Sequence, residues 1–544
     1  MSAVRDKWFW GIVTLLIACI PCFPVVDVLL HIGKDSDGTW QHLSETVLFG
    51  YLTNTLILAV SVSALTLIIG VGGAWLVTMC DFPGRKCLSV SLLLPLAIPT
   101  YITAYAAADL LQFAGPVQTF LRDTFSWTKG DYWFPEVRSL YGAICVLSFG
   151  LYPYVYLAGR AAFQDQPKDI FDSVKVLGHG PWSGFYRISL PMAWPAIAAG
   201  MLLVVMETLA EFGAVEYCAV DTFSTGIYRT WMSHGSVTAA AQLSACLIGI
   251  VLIFQFCDSL LRGRKRFHSL RTIRKSGPIY RLTGSKAIAA VILTSIPVVF
   301  GFLLPLLVFA HKTFTHGDQR TIELVTTFGK NSLIVGVIAS TVAVILAFAS
   351  VYAVRLRPSP ISQFANKVSG LGYSIPGSVI AVGCLAPFFW FEELVQSVSI
   401  FAFDYDPGFW ITGTILALIL GYQCRFLAIS LGFISAGITR VPLSLDQASR
   451  SLGNGSLMTL FRVHYPLLKP TLIYTGILVF VDILKELPIT LILQPFNFQT
   501  LAVRVHQLAS DERLEEASTG VLAIITAGLI SVIFLTRFTD RSHR

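Results

Sequence analysis

The chain has 544 residues, 54% of them hydrophobic and only 13% charged, with a formal net charge of +7. Soluble domains carry close to a quarter charged residues, so a water-soluble enzyme is excluded at this size. A mean hydropathy of +0.69 and apolar runs near 55–79, 191–215 and 331–354, each longer than the roughly 18 residues that cross a bilayer, predict an all-α polytopic membrane protein whose solvent is lipid.

Taken in chain order, apolar stretches near 9–30, 55–78, 89–112, 140–159, 193–215, 238–261, 287–310, 332–354, 368–391, 410–434, 470–493 and 517–538 predict twelve transmembrane helices. Arg5 and Lys7 ahead of the first resemble a signal peptide, and Leu16-Ile17-Ala18-Cys19 a lipoprotein box. The apolar run nevertheless continues past Cys19 to Leu30 with no polar segment after it, so this span is expected to remain. With the N-terminus inside, most of the 39 Lys and Arg fall on the cytoplasmic side, including Arg85, Lys86 and the cluster from Arg262 to Lys275, whereas outer loops carry Glu392, Glu393, Asp404 and Asp406. The positive-inside rule then puts both termini in the cytoplasm. The net charge reads as topology, with no nucleic-acid partner implied. The ten cysteines lie singly, mostly within spans, and are expected to pack rather than crosslink.

One motif occurs twice, DIFDSVKVLGHGPWSGFYRISLP at 169–191 and SLDQASRSLGNGSLMTLFRVHYP at 444–466. An offset of 275 matches Gly178 with Gly453, Arg187 with Arg462, Pro191 with Pro466, Pro195 with Pro470, Glu207 with Asp482, Glu211 with Glu486 and Arg229 with Arg504. Upstream, an offset of 277 matches Asn54 with Asn331 and Pro99 with Pro376. The chain is therefore a tandem repeat, 1–261 and 287–544, joined by a basic linker at 262–286. Six spans in each half make the repeats parallel, related by an axis along the membrane normal.

Each motif lies in a long inner loop, 167–191 and 442–466. Phe171, Val174 and Leu177 recur at helical spacing, Gly178 stands where a helix ends, and a second short helix over 181–188 is expected before the next span. These loops resemble the EAA loop of ABC importer permeases of the type I fold, which has Glu-Ala-Ala, a glycine four residues later and a distal Ile/Val-x-Leu-Pro. Here the triplets read Asp172-Ser173-Val174 and Gln447-Ala448-Ser449, followed by Gly178 and Gly453, with Arg187, Pro191, Arg462 and Pro466 at the distal ends. The resemblance implies an elbow that docks in a separate ATP-binding subunit, in two copies, and makes Asp172, Gly178, Arg187, Pro191, Gln447, Gly453, Arg462 and Pro466 ATPase-coupling candidates. The sequence has no G-x-x-x-x-G-K-[ST] phosphate loop. No cofactor is expected in this chain, and ATP and Mg would be used by the partner.

Four carboxylates fall inside spans: Glu207 and Glu211, Asp482 and Glu486. Intramembrane acids mark functional sites by default. Each pair is four residues apart and so shares a helix face. The inner acid lies twelve residues beyond Pro195 or Pro470, about 18 Å at 1.5 Å per residue, past the middle of the bilayer. The outer acid adjoins Gly213 or Pro488, where a helix can break. Facing acids would offer oxygen donors to a hard cation, making Glu207 and Asp482 transient metal contacts and all four substrate-path candidates. The alternative is that they are hydrogen-bonded packing elements. Lys485 is expected to pair with one of them or to tune the pocket.

Segments 94–122, 131–143, 151–163 and 221–231 look like the fused permeases of ferric iron importers. That likeness, over about 45–538, implies Fe³⁺ as cargo, a periplasmic iron-binding protein as donor, and the bacterial inner membrane as location. Tyr132-Trp133-Phe134-Pro135-Glu136 and 221–229 are candidate docking segments, with Arg229 and Arg504 able to grip carboxylates on a binding protein. Thiamine, polyamine or phosphonate cargo is the nearest alternative. A cation-coupled secondary transporter is the more distant one, suggested by Asp81-Phe82-Pro83-Gly84-Arg85-Lys86, which is also an ordinary inner turn.

Overall fold

The computed structural model describes residues 2–128, 130–167, 171, 181–262, 280–316, 319–356 and 358–542. In the first repeat the helices used below are α1 (Ser2–Leu30), α2 (Leu48–Met79), α3 (Thr100–Leu111), α4 (Leu140–Gln164), α5 (Leu190–Ala210), α6 (Gly213–Tyr217), α7 (Phe223–His234) and α8 (Val237–Arg262). In the second they are α9 (Leu304–His316), α10 (Gln319–Leu356), α11 (Gly377–Phe403), α12 (Ile415–Ile438), α13 (Leu443–Ser451), α14 (Tyr465–Leu484), α15 (Pro488–Leu493), α16 (Leu501–Ser510) and α17 (Leu514–Ser542). Lipid offers no partner for a free peptide group, so the apolar runs satisfy their backbones internally as helices. Among the described residues, 11 helices are long and apolar enough to span, and a bent pair gives up to 12. The chain is a multi-pass membrane protein.

The third span departs from the straight helix expected over 89–112. It is two segments, Arg85–Ala97 and Thr100–Phe125, meeting at 93°. A residue before proline is driven out of the helical region; Ile98 is extended at φ −107°, ψ 121°, and Pro99 opens α3. Ile375 before Pro376 does the same at φ −88°, ψ 126°. This starts α11 at Gly377, later than the span expected from 368.

The outgoing arm of each elbow is likewise not the separate short helix expected over 181–188. It runs from Pro181 through a π-helical turn, Phe185–Ser189, directly into α5, and from Ser456 through Leu460–His464 into α14. Proline lacks an N–H and its ring crowds the carbonyl four residues back. In each case the residue preceding a proline reaches five residues back instead: Leu190 N–H to Phe185 O before Pro191, and Tyr465 N–H to Leu460 O before Pro466. Leu304 N–H to Val299 O before Pro305 repeats the device a third time. The widened turn lets the helix pass its proline without stopping.

The chain forms two compact units, and each draws on both repeats. The first comprises Met1–Thr46, Gly226–Ile248 and Asp318–Leu508. In it α1 packs on α10, α11 and α12 of the second repeat, and the Cys424 thiol donates to Ile20 O at 3.2 Å. The second comprises Val47–Thr225, Gly249–Gly317 and Ala509–Arg544. There α2, α4 and α5 form the centre, while α9 and α17 of the second repeat pack on one another, α9 against α3 and α17 against the turn Leu94–Ala97. Small residues set how closely such helices approach: a Cβ at Gly528 would run into the Ala97 carbonyl. Gly528→Ala is therefore expected to lift α17 off that turn and to cost about 2 kcal/mol or more, read as a lower melting temperature in detergent.

Candidate functional site

The spans carrying the four acids break where the outer acid stands. Helix α5 ends at Ala210, Glu211 turns extended (φ −65°, ψ 129°), and the chain restarts as α6 at Gly213. Helix α14 ends at Leu484 and α15 begins at Pro488. Each outer carboxylate binds the N–H groups that the restarting helix exposes. Glu211 Oε1 accepts from Ala214 N–H at 2.9 Å; Glu486 accepts from Ile489 and Thr490 N–H, both at 3.1 Å, and from the Thr490 hydroxyl at 3.0 Å. The outer acids thus hold the breaks in shape.

The two breaks are buttressed differently. In the first repeat Thr100 Oγ1 donates to Glu211 Oε2 at 2.6 Å, and position 150 is glycine because a Cβ there would lie 2.8 Å from Thr100 Cγ2. At the matching positions the second repeat has Gly377 and Arg425. The arginine Nη1 lies 4.0 Å from Glu486 Oε1, both side chains being nearly enclosed, and its guanidinium stacks over Tyr373. A Cβ at Gly377 would lie 3.0 Å from Glu486 Oε1 and 3.1 Å from Arg425 Nη1. One repeat supports its acid with a small hydroxyl beside a glycine, the other with a long cation beside a glycine.

The inner acids, Glu207 on α5 and Asp482 on α14, are half-buried. Lys485 Nζ lies 2.9 Å from Asp482 Oδ1. Among the described residues, no group of three or more His, Cys, Asp or Glu side chains is arranged to hold a resident metal ion.

Of the elbow residues, Asp172 and Gly178 lie outside the described residues. Arg187, Pro191, Arg462 and Pro466 are exposed on the π turns and the helix starts that follow them, and Gln447 is exposed on α13. Helix α13 stops at Gly453, which takes the left-handed conformation at φ +82°. Gly453 N–H bonds Arg450 O and Asn454 N–H bonds Ser449 O, the paired bonds of a Schellman cap. Reading the sequence assigned no chemistry to His464, yet it is fully buried against Asp446, Nε2 to Oδ1 at 2.6 Å. Its only signal was that the first repeat has serine there.

The matched asparagines perform one task twice. Asn54 Nδ2 donates to Asp221 O at 2.9 Å and Asn331 Nδ2 to Gln499 O at 3.0 Å. Arg229 is exposed on α7; Arg504 on α16 is half-buried over the Phe328 ring. Tyr132 is held by Gln118 and Arg122, leaving the neighbouring Trp133 86% exposed.

A family model described as "Binding-protein-dependent transport system inner membrane component" matches residues 66–267 and 348–544. The chain is similar to an Fe(3+)-transport system permease protein of Haemophilus influenzae, 23% identical over 543 residues covering 98% of this chain and 99% of that one. It is similar to a ferric transport system permease protein of Actinobacillus pleuropneumoniae, 24% identical over 97% of this chain and 77% of the other. A molybdenum transport system permease protein of Escherichia coli is 30% identical, over 36% of this chain and 86% of its own length.

Proposed function

The chain belongs to the family of binding-protein-dependent transport system inner membrane components and is a transport permease rather than an enzyme; from that premise we propose that its cargo is ferric iron. The observation that carries this reading is length. The iron-transport relative of Haemophilus influenzae aligns end to end through both repeats, whereas the molybdenum relative covers about a third of the chain.

In this reading an iron-binding protein delivers Fe³⁺ at the helix ends bearing Trp133, Arg229 and Arg504. Two copies of an ATP-binding subunit, which hydrolyse Mg-ATP, dock on the elbows at the opposite ends through Asp172, Gly178, Arg187, Pro191, Gln447, Gly453, Arg462 and Pro466. The basic residues near the elbows support an inner-membrane orientation with both termini cytoplasmic. Glu207 and Asp482, half-buried within their spans, are the side chains assigned to meet the cation, and oxygen donors suit so hard an ion. Glu211 and Glu486 shape the path by holding the helix breaks.

The permease is to be reconstituted with its ATP-binding subunit and binding protein, and ⁵⁵Fe³⁺ uptake followed against competing thiamine and sulfate. ATP-dependent iron uptake that neither competitor suppresses is expected. Uptake driven by an ion gradient without ATP, or selective competition by thiamine or sulfate, would refute the assignment.

A further inference from the structure

Among the described residues, the two elbows are fastened to their membrane helices by different chemistry. In the second repeat, Asp446 on α13 is 6% exposed. Its Oδ2 accepts from Arg355 Nε at 3.0 Å and Nη2 at 2.6 Å, and its Oδ1 contacts His464 Nε2 at 2.6 Å. Arg355, near the end of α10, also donates to Ile438 O at 2.7 Å and Val441 O at 2.8 Å, so it joins the end of α12 to the elbow. The fully buried His464 ring packs on Tyr352, 5.1 Å between centroids. The Tyr352 hydroxyl donates to Ser456 O at 2.6 Å, and the Trp10 indole donates to Ser456 Oγ at 3.1 Å. Both arms of this elbow, with the ends of α1, α10 and α12, thus meet in one enclosed polar cluster.

The first repeat has none of these groups at the matching positions. Phe171 stands for Asp446, Ser189 for His464, Trp75 for Tyr352 and Thr78 for Arg355. Trp75 packs on Phe171 and Phe185 at 6.4 and 4.8 Å, the Thr78 hydroxyl bonds its own helix at Ala74 O, and Gln166 Nε2 donates to Ser189 O at 2.8 Å. Aromatic packing adjusts to small displacements. Two guanidinium N–H groups converging on one carboxylate oxygen, whose partner oxygen is held by His464, leave less room for displacement.

We propose that Asp446, clamped between Arg355 and His464, is a positioning residue that locks the second elbow to the ends of α10, α12 and α14, so that displacement of α13 by a docked ATP-binding subunit moves those helices as a body. The clamp rests on the ATPase-coupling reading above for its function, but not for its existence. Burial works to raise the Asp446 pKa, yet the hydrogen bonds from His464 and Arg355 outweigh it and hold the carboxyl below its usual range. A group whose folded pKa is depressed stabilises above its unfolded value and loses that contribution only as pH falls through the folded one. The Asp446 carboxylate is therefore ionised at neutral pH.

The first measurement uses the full permease alone. Trypsin cleavage after Arg450, exposed on α13, requires local opening of that helix. Asp446→Asn is expected to speed it about tenfold or more, the scale of a lost charge-assisted hydrogen bond. Arg355→Lys, which lacks the paired guanidinium N–H groups, is expected to give an intermediate rate and serves if Asp446→Asn does not fold. His464→Gln, which keeps an N–H for Asp446, is expected to stay within about threefold of the native protein. The second measurement uses the complex with ATP-binding subunit and loaded binding protein. Asp446→Asn is expected to hold the KM for ATP while stimulated kcat falls about tenfold, whereas His464→Gln alone is expected to keep most of the native stimulated kcat. Unchanged cleavage overturns the clamp. Faster cleavage with full stimulation, or a loss seen only as less assembled complex, overturns its positioning role. If the native permease recruits no ATP-binding subunit, the coupling reading fails while the cleavage result still stands.

Discussion

Gly377→Thr is expected to destabilise the permease by about 1–3 kcal/mol, the range for forcing atoms into a filled core. The new Cβ would sit 2.9 Å from Pro488 Cγ and about as close to Glu486 and Arg425. Arg425→Gly is expected to cost more, about 3–5 kcal/mol, because it leaves the enclosed Glu486 carboxylate without its cation. The double variant is the informative one. It installs beside Glu486 the threonine and glycine that the first repeat places beside Glu211, so the threonine hydroxyl can replace the guanidinium and the vacated arginine volume can take the threonine. Recovery of at least about 2 kcal/mol relative to the summed single losses is expected, since contacting residues do not add independently. Thermal unfolding of the three variants in one detergent measures the cycle. Additive losses would show that the two repeats do not share an exchangeable design at the helix break.

That exchange also marks where reading the sequence stops. The repeat, its register and the number of spans were legible because each follows from local pattern: apolar runs long enough to cross lipid and prolines that recur at fixed offsets. Pro99 and Pro376 gave the register correctly, but the 93° bend ahead of α3 depends on the extended residue before a proline. A hydropathy window averages over that residue. Pro191 and Pro466 invited a helix boundary that the π turns remove, because the backbone can shift its acceptors by one residue at little cost. Arg425 and Glu486 were both visible as charges within spans. Their pairing was not, because hydropathy carries no information about which distant helix a side chain meets. The packing of α1 on α10, α11 and α12 of the second repeat is hidden for the same reason. His464 was passed over because its position differs between the repeats, although the difference itself pointed to a locally distinct task.

Asp482→Asn is expected to reduce ⁵⁵Fe³⁺ moved per ATP hydrolysed at least tenfold, and more than the loss of one negative charge in isolation would. Lys485 Nζ lies 2.9 Å from Asp482 Oδ1 with both side chains only partly exposed, so the native pair presents little net charge. Neutralising the aspartate alone leaves the ammonium facing an approaching cation. At an effective dielectric of about 20, two unit charges about 6 Å apart interact by roughly 3 kcal/mol, more than a hundredfold in occupancy, and a trivalent ion feels this several times over. Adding Lys485→Met to Asp482→Asn removes the repulsion and is expected to restore transport part of the way, leaving only the missing oxygen ligand. Combining Glu207→Gln with Asp482→Asn should lower transport further than either change alone, if both carboxylates meet the cargo. A Lys485→Met variant that fails to relieve Asp482→Asn would place the pair away from the ion's route. Full transport in the Glu207→Gln and Asp482→Asn double variant would remove both inner acids from the path and leave them, like Glu211 and Glu486, as elements that shape it.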